Sequence, residues 1–212
     1  VIMTPAENLA VFNATQQIYY NDIQGAIDDA NSGDVIEVDA TYTHNGLRST
    51  IDGKNLTING NNATIDGAID IRGGAVVNLN DLTISGIQHT DPDNTCGWST
   101  VSSSGETGEK IVASVRQTGS QLIADNFNID QTGFPDANIV GIDVHQDGYV
   151  ELMNSDFDLT GGNVYGFYLQ NYNTEIDVDN VDFTLNPERV TPGLGSKNAV
   201  VIGAGVGSGD NS

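Results

Sequence analysis

Arg116, Asp143, His145 and Asp147 are the side chains whose types and spacing could do chemistry. Carboxylates such as Asp143 and Asp147 suit Ca2+, since a hard cation prefers oxygen ligands, and a cation held there could neutralise an acidic sugar. An arginine beside such a site can take the proton whose removal starts an elimination. Asp143 and Asp147 also flank His145, as a transition-metal site would require, but His44 and His89 are remote in sequence and supply no ligand spacing. The competing reading is a solvated strand face, because a chain with 29 acidic residues sets some of them near an arginine by chance. We therefore assign no catalytic residue. Arg116, Asp143 and His145 stand as catalytic candidates, and Asp143 and Asp147 as calcium candidates.

These residues fall in short segments of one kind: Ile69-Asp70-Ile71-Arg72, Ala113-Ser114-Val115-Arg116, Ile142-Asp143-Val144-His145 and Phe167-Tyr168-Leu169-Gln170. Apolar and polar residues alternate in each, which gives a strand one buried and one wet face. Set in register, the outward Asp70, Arg72, Ser114, Arg116, Asp143, His145, Tyr168 and Gln170 form one strip, with Asp147 in the turn beyond it. A second repeated triplet runs Leu56-Thr57-Ile58, Leu82-Thr83-Ile84, Phe127-Asn128-Ile129, Phe157-Asp158-Leu159 and Phe183-Thr184-Leu185, its starts 26, 45, 30 and 26 residues apart. Asp81, Asn126, Asp156 and Asp182 precede four copies, and Gly60, Gly86 and Gly161 follow three, so turns are expected there. Stacked, this column sets Phe127, Phe157 and Phe183 above one another and Thr57, Thr83, Asn128, Asp158 and Thr184 in an outward row.

Composition agrees with a fold of short strands and turns. Gly, Asn and Asp number 25, 23 and 22, types that tolerate left-handed backbone, and Val, Ile and Thr add 56 residues of the β-branched set. One helix is expected. Asp22 is its N-cap, Ile23, Ala26, Ile27 and Ala30 recur at helical spacing, and Ser32-Gly33 closes it.

A period near 26 residues with two or three strands is too short for a propeller blade and lacks the helices of an ankyrin or tetratricopeptide array. A coil whose rungs pair in parallel about 4.8 Å apart remains. The stretch Asp22-Ile23-Gln24-Gly25-Ala26-Ile27-Asp28-Asp29-Ala30, then Gly33-Asp34-Val35-Ile36-Glu37-Val38, then Lys54-Asn55-Leu56-Thr57-Ile58-Asn59-Gly60 with Ala63-Thr64-Ile65-Asp66-Gly67, resembles the opening of right-handed parallel β-helix proteins of the pectin lyase-like superfamily. The resemblance is specific over residues 22–67 and rests on the bare repeat to about residue 186. It implies an all-β solenoid whose first rung is capped by a short helix at residues 22–31. That fold hosts lyases, hydrolases, tailspikes and adhesins, so it leaves function open. The polygalacturonase signatures of that group, an adjacent Asp pair in a turn, His-Gly and Arg-x-Lys, are missing, and the one Asp-Asp is Asp28-Asp29 on the helix.

Residues 1–212 read as one domain. It has an N-terminal strand and cap helix (1–34), first rungs (35–87), a projecting loop (88–110), later rungs (111–187) and a last rung or tail (188–212). The loop interrupts the repeat with turn and polar residues around Cys96 and Trp98. Such excursions often bind partners, so both are partner-contact candidates. Cys96 is the single cysteine, which rules out an internal disulfide. Near the far end, Val200, Val201 and Ile202 lie in an apolar run that reads as one more rung with nothing after it to shield it, and they too are partner-contact candidates.

A net charge of −22 argues against nucleic acid and anionic membranes as partners, and no apolar run approaches the 18 residues of a membrane span. The expected function is an extracellular or cell-surface structural or adhesive module, joined end to end with copies of itself or neighbouring modules. No cofactor is expected beyond structural Ca2+ at acidic turns. The rival class is a Ca2+-dependent lyase or a carbohydrate-binding protein acting on an acidic polysaccharide.

Overall fold

The alternating segments become strands, and the computed structural model describes them at residues 9–42, 48–85, 109–170, 173–188 and 197–203. In chain order these are β1 (Val11–Asn13), β2 (Ile18–Tyr20), α1 (Ile23–Asp29), β3 (Val35–Val38), β4 (Arg48–Asp52), β5 (Leu56–Ile65), β6 (Ala68–Arg72), β7 (Val76–Ser85), β8 (Glu109–Arg116), β9 (Gln121–His145), β10 (Tyr149–Gln170), β11 (Glu175–Pro187) and β12 (Lys197–Gly203). All twelve strands belong to one sheet. Only the β1 pairings, with β2 and with β3, are antiparallel among the described residues; the others are parallel.

The chain alternates between two arms of this sheet. One arm runs β2-β1-β3-β5-β7 and the other β4-β6-β8, and the long β9 joins both. Strand β10 lies along β9 and is followed by β11 on the first arm and β12 on the second. Among the described residues the sheet does not close on itself. The expected parallel all-β architecture with one helix is therefore present, while the closed β-helix is not established by the strand order.

Helix α1 lies where its spacing predicts. Asp22 Oδ1 accepts from the Gly25 amide at 2.7 Å, which satisfies one of the orphan N–H groups of the first turn. Ile23, Ala26 and Ile27 are buried against the strands. At the other end Lys54 Nζ donates to the carbonyls of Ile27 and Asp28, at 2.8 and 2.6 Å, where the helix dipole favours a cation. Beside it, buried Asp34 accepts from Asn13, Gln16 and the Asn31 amide, and these bonds hold its carboxyl below the usual carboxylate range.

The core is built from rows of side chains that cross the strands. One row starts at Ile18, passes Asn13, Ile36, Ile58, Leu79, Ala124 and Leu152, and ends at Val178. A second sets Ile65, Ile84, Ile129, Phe157 and Phe183 side by side. The expected ladder of three phenylalanines is thus corrected. Phe157 and Phe183 do meet, with ring centroids 5.2 Å apart, but Phe127 sits one row away beside Leu82, and its amide donates to Ser155 Oγ.

The same correction applies to Thr57, Thr83, Asn128, Asp158 and Thr184. Thr83 does neighbour Asn128, but Thr57 lies beside Asn78, and Asp158 lies between Asp130 and Thr184, so they form no single row. The turn marks move as well. Asp81 and Asn126 have left-handed backbone as expected, but further on Asn154 and Asn180 take it, in place of Asp156 and Asp182. Along this corner Asn126 donates to Asp81 and Asn180 to Asn154, each at 2.9 Å. Gly60 and Gly161 lie inside bent strands and not in turns. At Gly60 a Cβ would come within 2.4 Å of the Asp81 carbonyl oxygen, so close approach of the next strand requires glycine there.

Candidate functional site

Strands β6, β8, β9 and β10 bring the sequence-predicted strip into register. Asp70 pairs with Ser114, Ser114 with Asp143 and Asp143 with Tyr168, while Arg116 pairs with His145. Strand parity places Ile69, Ile71, Ala113, Val115, Ile142 and Val144 on the opposite face, in the core.

The strip is not the wet face that alternation predicts. Asp70 is 1% exposed, Ser114 4%, Arg116 5%, Asp143 0% and His145 4%. Alternation tells which residues share a face but not whether that face meets solvent, and here the middle of the strip is covered while Arg72 and Tyr168 stay partly exposed.

Burial decides what the charges do. Arg116 Nε donates to Asp70 Oδ1 at 2.8 Å and Nη2 to Oδ2 at 2.6 Å, a two-pronged pair in which the guanidinium fork matches the carboxylate. Arg72 extends the network. Its Nη1 lies 3.7 Å from Asp70 Oδ2, and its Nε donates to the more exposed Asp52 at 3.0 Å. An arginine held this way is a counter-ion for Asp70.

His145 is held neutral. Burial first, and then the Arg116 cation, push its pKa down to about 4, with Asp70 pulling weakly the other way. Among the described residues its Nε2 has no hydrogen-bond partner, and it stands 3.6 Å from Asp143 Oδ2, beyond hydrogen-bond reach. A neutral imidazole at that distance forms no ion pair.

This arrangement predicts acid lability. An unfolded histidine takes up its proton near pH 6.5, whereas His145 in the fold resists doing so until about 4, so the unfolded state binds more protons between these values. Stability therefore falls as pH drops through that window, by up to ~3 kcal/mol at about 1.4 kcal/mol per unit, and His145 contributes no further loss below it. His145→Gln is expected to flatten this part of the curve. Thermal melts of both proteins between pH 7 and pH 4 check it, and parallel slopes would refute the assignment.

The two calcium candidates sit in different surroundings. Asp143 is buried in the strip, while Asp147 sits in the corner after β9 with left-handed backbone. There its Oδ2 accepts from Thr118 at 3.1 Å and its Oδ1 from Asn173 at 3.3 Å, clipping the turns after β8 and β10 to its own. Among the described residues no group of three or more His, Cys, Asp or Glu is placed to hold a metal ion. Cys96 and Trp98 lie outside the described residues. Val200, Val201 and Ile202 belong to β12 and pair with Phe167, Tyr168 and Leu169 of β10, so they extend the second arm.

Features missed from sequence lie at the ends of the sheet. The large apolar side chains exposed among the described residues are Leu9, Ile18 and Tyr19 at the β1–β2 end and Val178 on β11. The Ile18-Tyr19-Tyr20 run before the helix cap was the available signal. No protein-family model matches the chain, and neither a curated protein nor a solved structure matches it.

Proposed function

We propose that this chain is a non-catalytic structural or adhesive module, extracellular or cell-surface, wound as a right-handed parallel β-helix and joined to its neighbours through its ends. The coil is supported by contacts that recur at similar spacing, with side chains 22, 21, 29 and 26 residues apart bonded across adjacent strands. Right-handedness follows from the strong bias of parallel crossovers.

The observation that carries the functional reading is where polar and apolar groups go unused. The strip with the candidate chemistry is buried, and its arginine is committed to Asp70. Exposed large apolar side chains instead occur at the β2 and β11 ends, and among the described residues β2, β11, β4 and β12 are the edge strands. The chain's net charge of −22 opposes indiscriminate association of copies, and unpaired edges of this kind accept a further strand.

The test is purified chain followed by sedimentation velocity and negative-stain microscopy as concentration rises, alongside incubation with pectate or alginate and Ca2+. Concentration-dependent rods without release of unsaturated sugars are expected. Single particles at every concentration would overturn end joining, and release of unsaturated sugars would favour a lyase.

A further inference from the structure

We propose that the joint is head to tail between two copies of this chain, with β11 of one pairing in parallel with β2 of the next and Val178 lying beside Ile18. The inference rests on the end-joining reading above and adds partner, polarity and register to it.

Strand direction permits this joint. Strand β2 runs antiparallel to β1 and β1 antiparallel to β3, so two reversals return β2 to the direction shared by β3, β5, β7, β9, β10 and β11. Without the β1–β2 hairpin the first edge of this arm would be β3. With it, the edge offered is short and points the same way as β11. Among the described residues β2 pairs only with β1 and β11 only with β10. Addition of a strand to such an edge supplies main-chain hydrogen bonds, and the side-chain rows supply register.

The rows match at this joint. Ile18 and Val178 are the two ends of one row whose intervening members are buried, yet they are themselves 46% and 45% exposed. Stacking a second copy continues the row and covers both. The neighbouring row ends at Tyr19 on one side and Asp179 on the other, so the pairing sets a tyrosine beside a carboxylate.

Charge disfavours the symmetric joint of two β11 edges. Strand β11 exposes Glu175, Asp177, Asp179 and Asp182, while β2 carries no charged residue. Two β11 edges face to face would set carboxylate against carboxylate, which destabilises cross-strand pairs. The joint of β11 with β2 avoids that opposition. Being heterologous, it leaves a free edge at each end of every dimer and extends into a filament unless the rotation closes a ring.

The test uses two blocked variants of the full chain, Ile18→Asp, whose carboxylate meets the acidic β11, and Val178→Lys, each verified by circular dichroism, with Ile18→Gln and Val178→Gln as a milder pair. Alone, each variant is expected to sediment as a single chain, because one of the two surfaces is spoiled in every copy. Mixed, they are expected to give twice that mass and no more, since the intact β11 of the Ile18 variant meets the intact β2 of the Val178 variant. If the unmodified chain assembles but either variant still assembles alone, the β11–β2 joint is overturned and end joining stands. If the unmodified chain stays single at every concentration, both fall.

Discussion

Arg116→Ala is expected to destabilise the fold by about 3–5 kcal/mol, because it leaves the Asp70 carboxylate buried without its principal counter-ion. Asp70 is 1% exposed and receives two hydrogen bonds from Arg116. Arg72, at 3.7 Å and already bonded to Asp52, offers Asp70 a longer, partly exposed ion pair that replaces neither of those hydrogen bonds. Neutralising both partners with groups of similar volume, Asp70→Leu with Arg116→Met, is expected to recover most of the loss, since neither charge then has to be desolvated. Urea unfolding of the single and double variants measures the difference. If the single variant loses less than about 1 kcal/mol, Asp70 reaches solvent or another cation, and the buried pair is misassigned. The same experiment guards against a false functional conclusion. Loss of any sugar-cleaving activity in Arg116→Ala would report unfolding unless the variant is shown to remain folded.

Phe157→Ala is the second large effect, at about 3–5 kcal/mol. The ring is 1% exposed and packs against Phe167 and Phe183, with centroids 5.8 and 5.2 Å away. Removing it leaves a void between strands whose spacing is held by backbone hydrogen bonds, so the surroundings cannot collapse into it. Phe183→Ala in β11 is expected to lose less, because that ring is only partly buried at the end of the sheet. Thermal or urea midpoints rank the two, and an equal loss would indicate that β11 is covered by something that seals the row.

Strand content, the parallel arrangement and the helix were legible in the residues. Val35-Ile36-Glu37-Val38 and Ile69-Asp70-Ile71-Arg72 alternate as strands do, and Asp22 with Ile23, Ala26 and Ile27 encodes a capped amphipathic turn. The rows were harder to read. Leu56-Thr57-Ile58 resembles Leu82-Thr83-Ile84, yet the structure sets Ala63-Thr64-Ile65 beside the latter and Val77-Asn78-Leu79 beside the former. Each passage of the chain carries two alternating stretches separated by a left-handed corner, and similar triplets occur on either side of it. Hydrophobic pattern repeats on both sides of that corner, so spacing cannot tell them apart. The asparagine and aspartate corners do, through positive φ at Asp81, Asn126, Asn154 and Asn180.

The candidate site shows the same division. That Asp70, Ser114, Arg116, Asp143, His145 and Tyr168 alternate with apolar neighbours was legible in the residues, while their meeting as one strip was an expectation that the register bears out. Their role was not legible. A carboxylate near an arginine reads alike whether it faces water or lies covered, but in water the pair contributes little and buried it becomes obligatory.

The order of amino acids by itself determined local conformation, because alternation, capping and left-handed corners depend on neighbours a few residues apart. Register between passages, burial of the middle of the polar strip, and exposure of Ile18 and Val178 at opposite ends of one row were decided only by the tertiary structure. Each depends on which distant segment lies alongside, and short-range patterns carry no information about that.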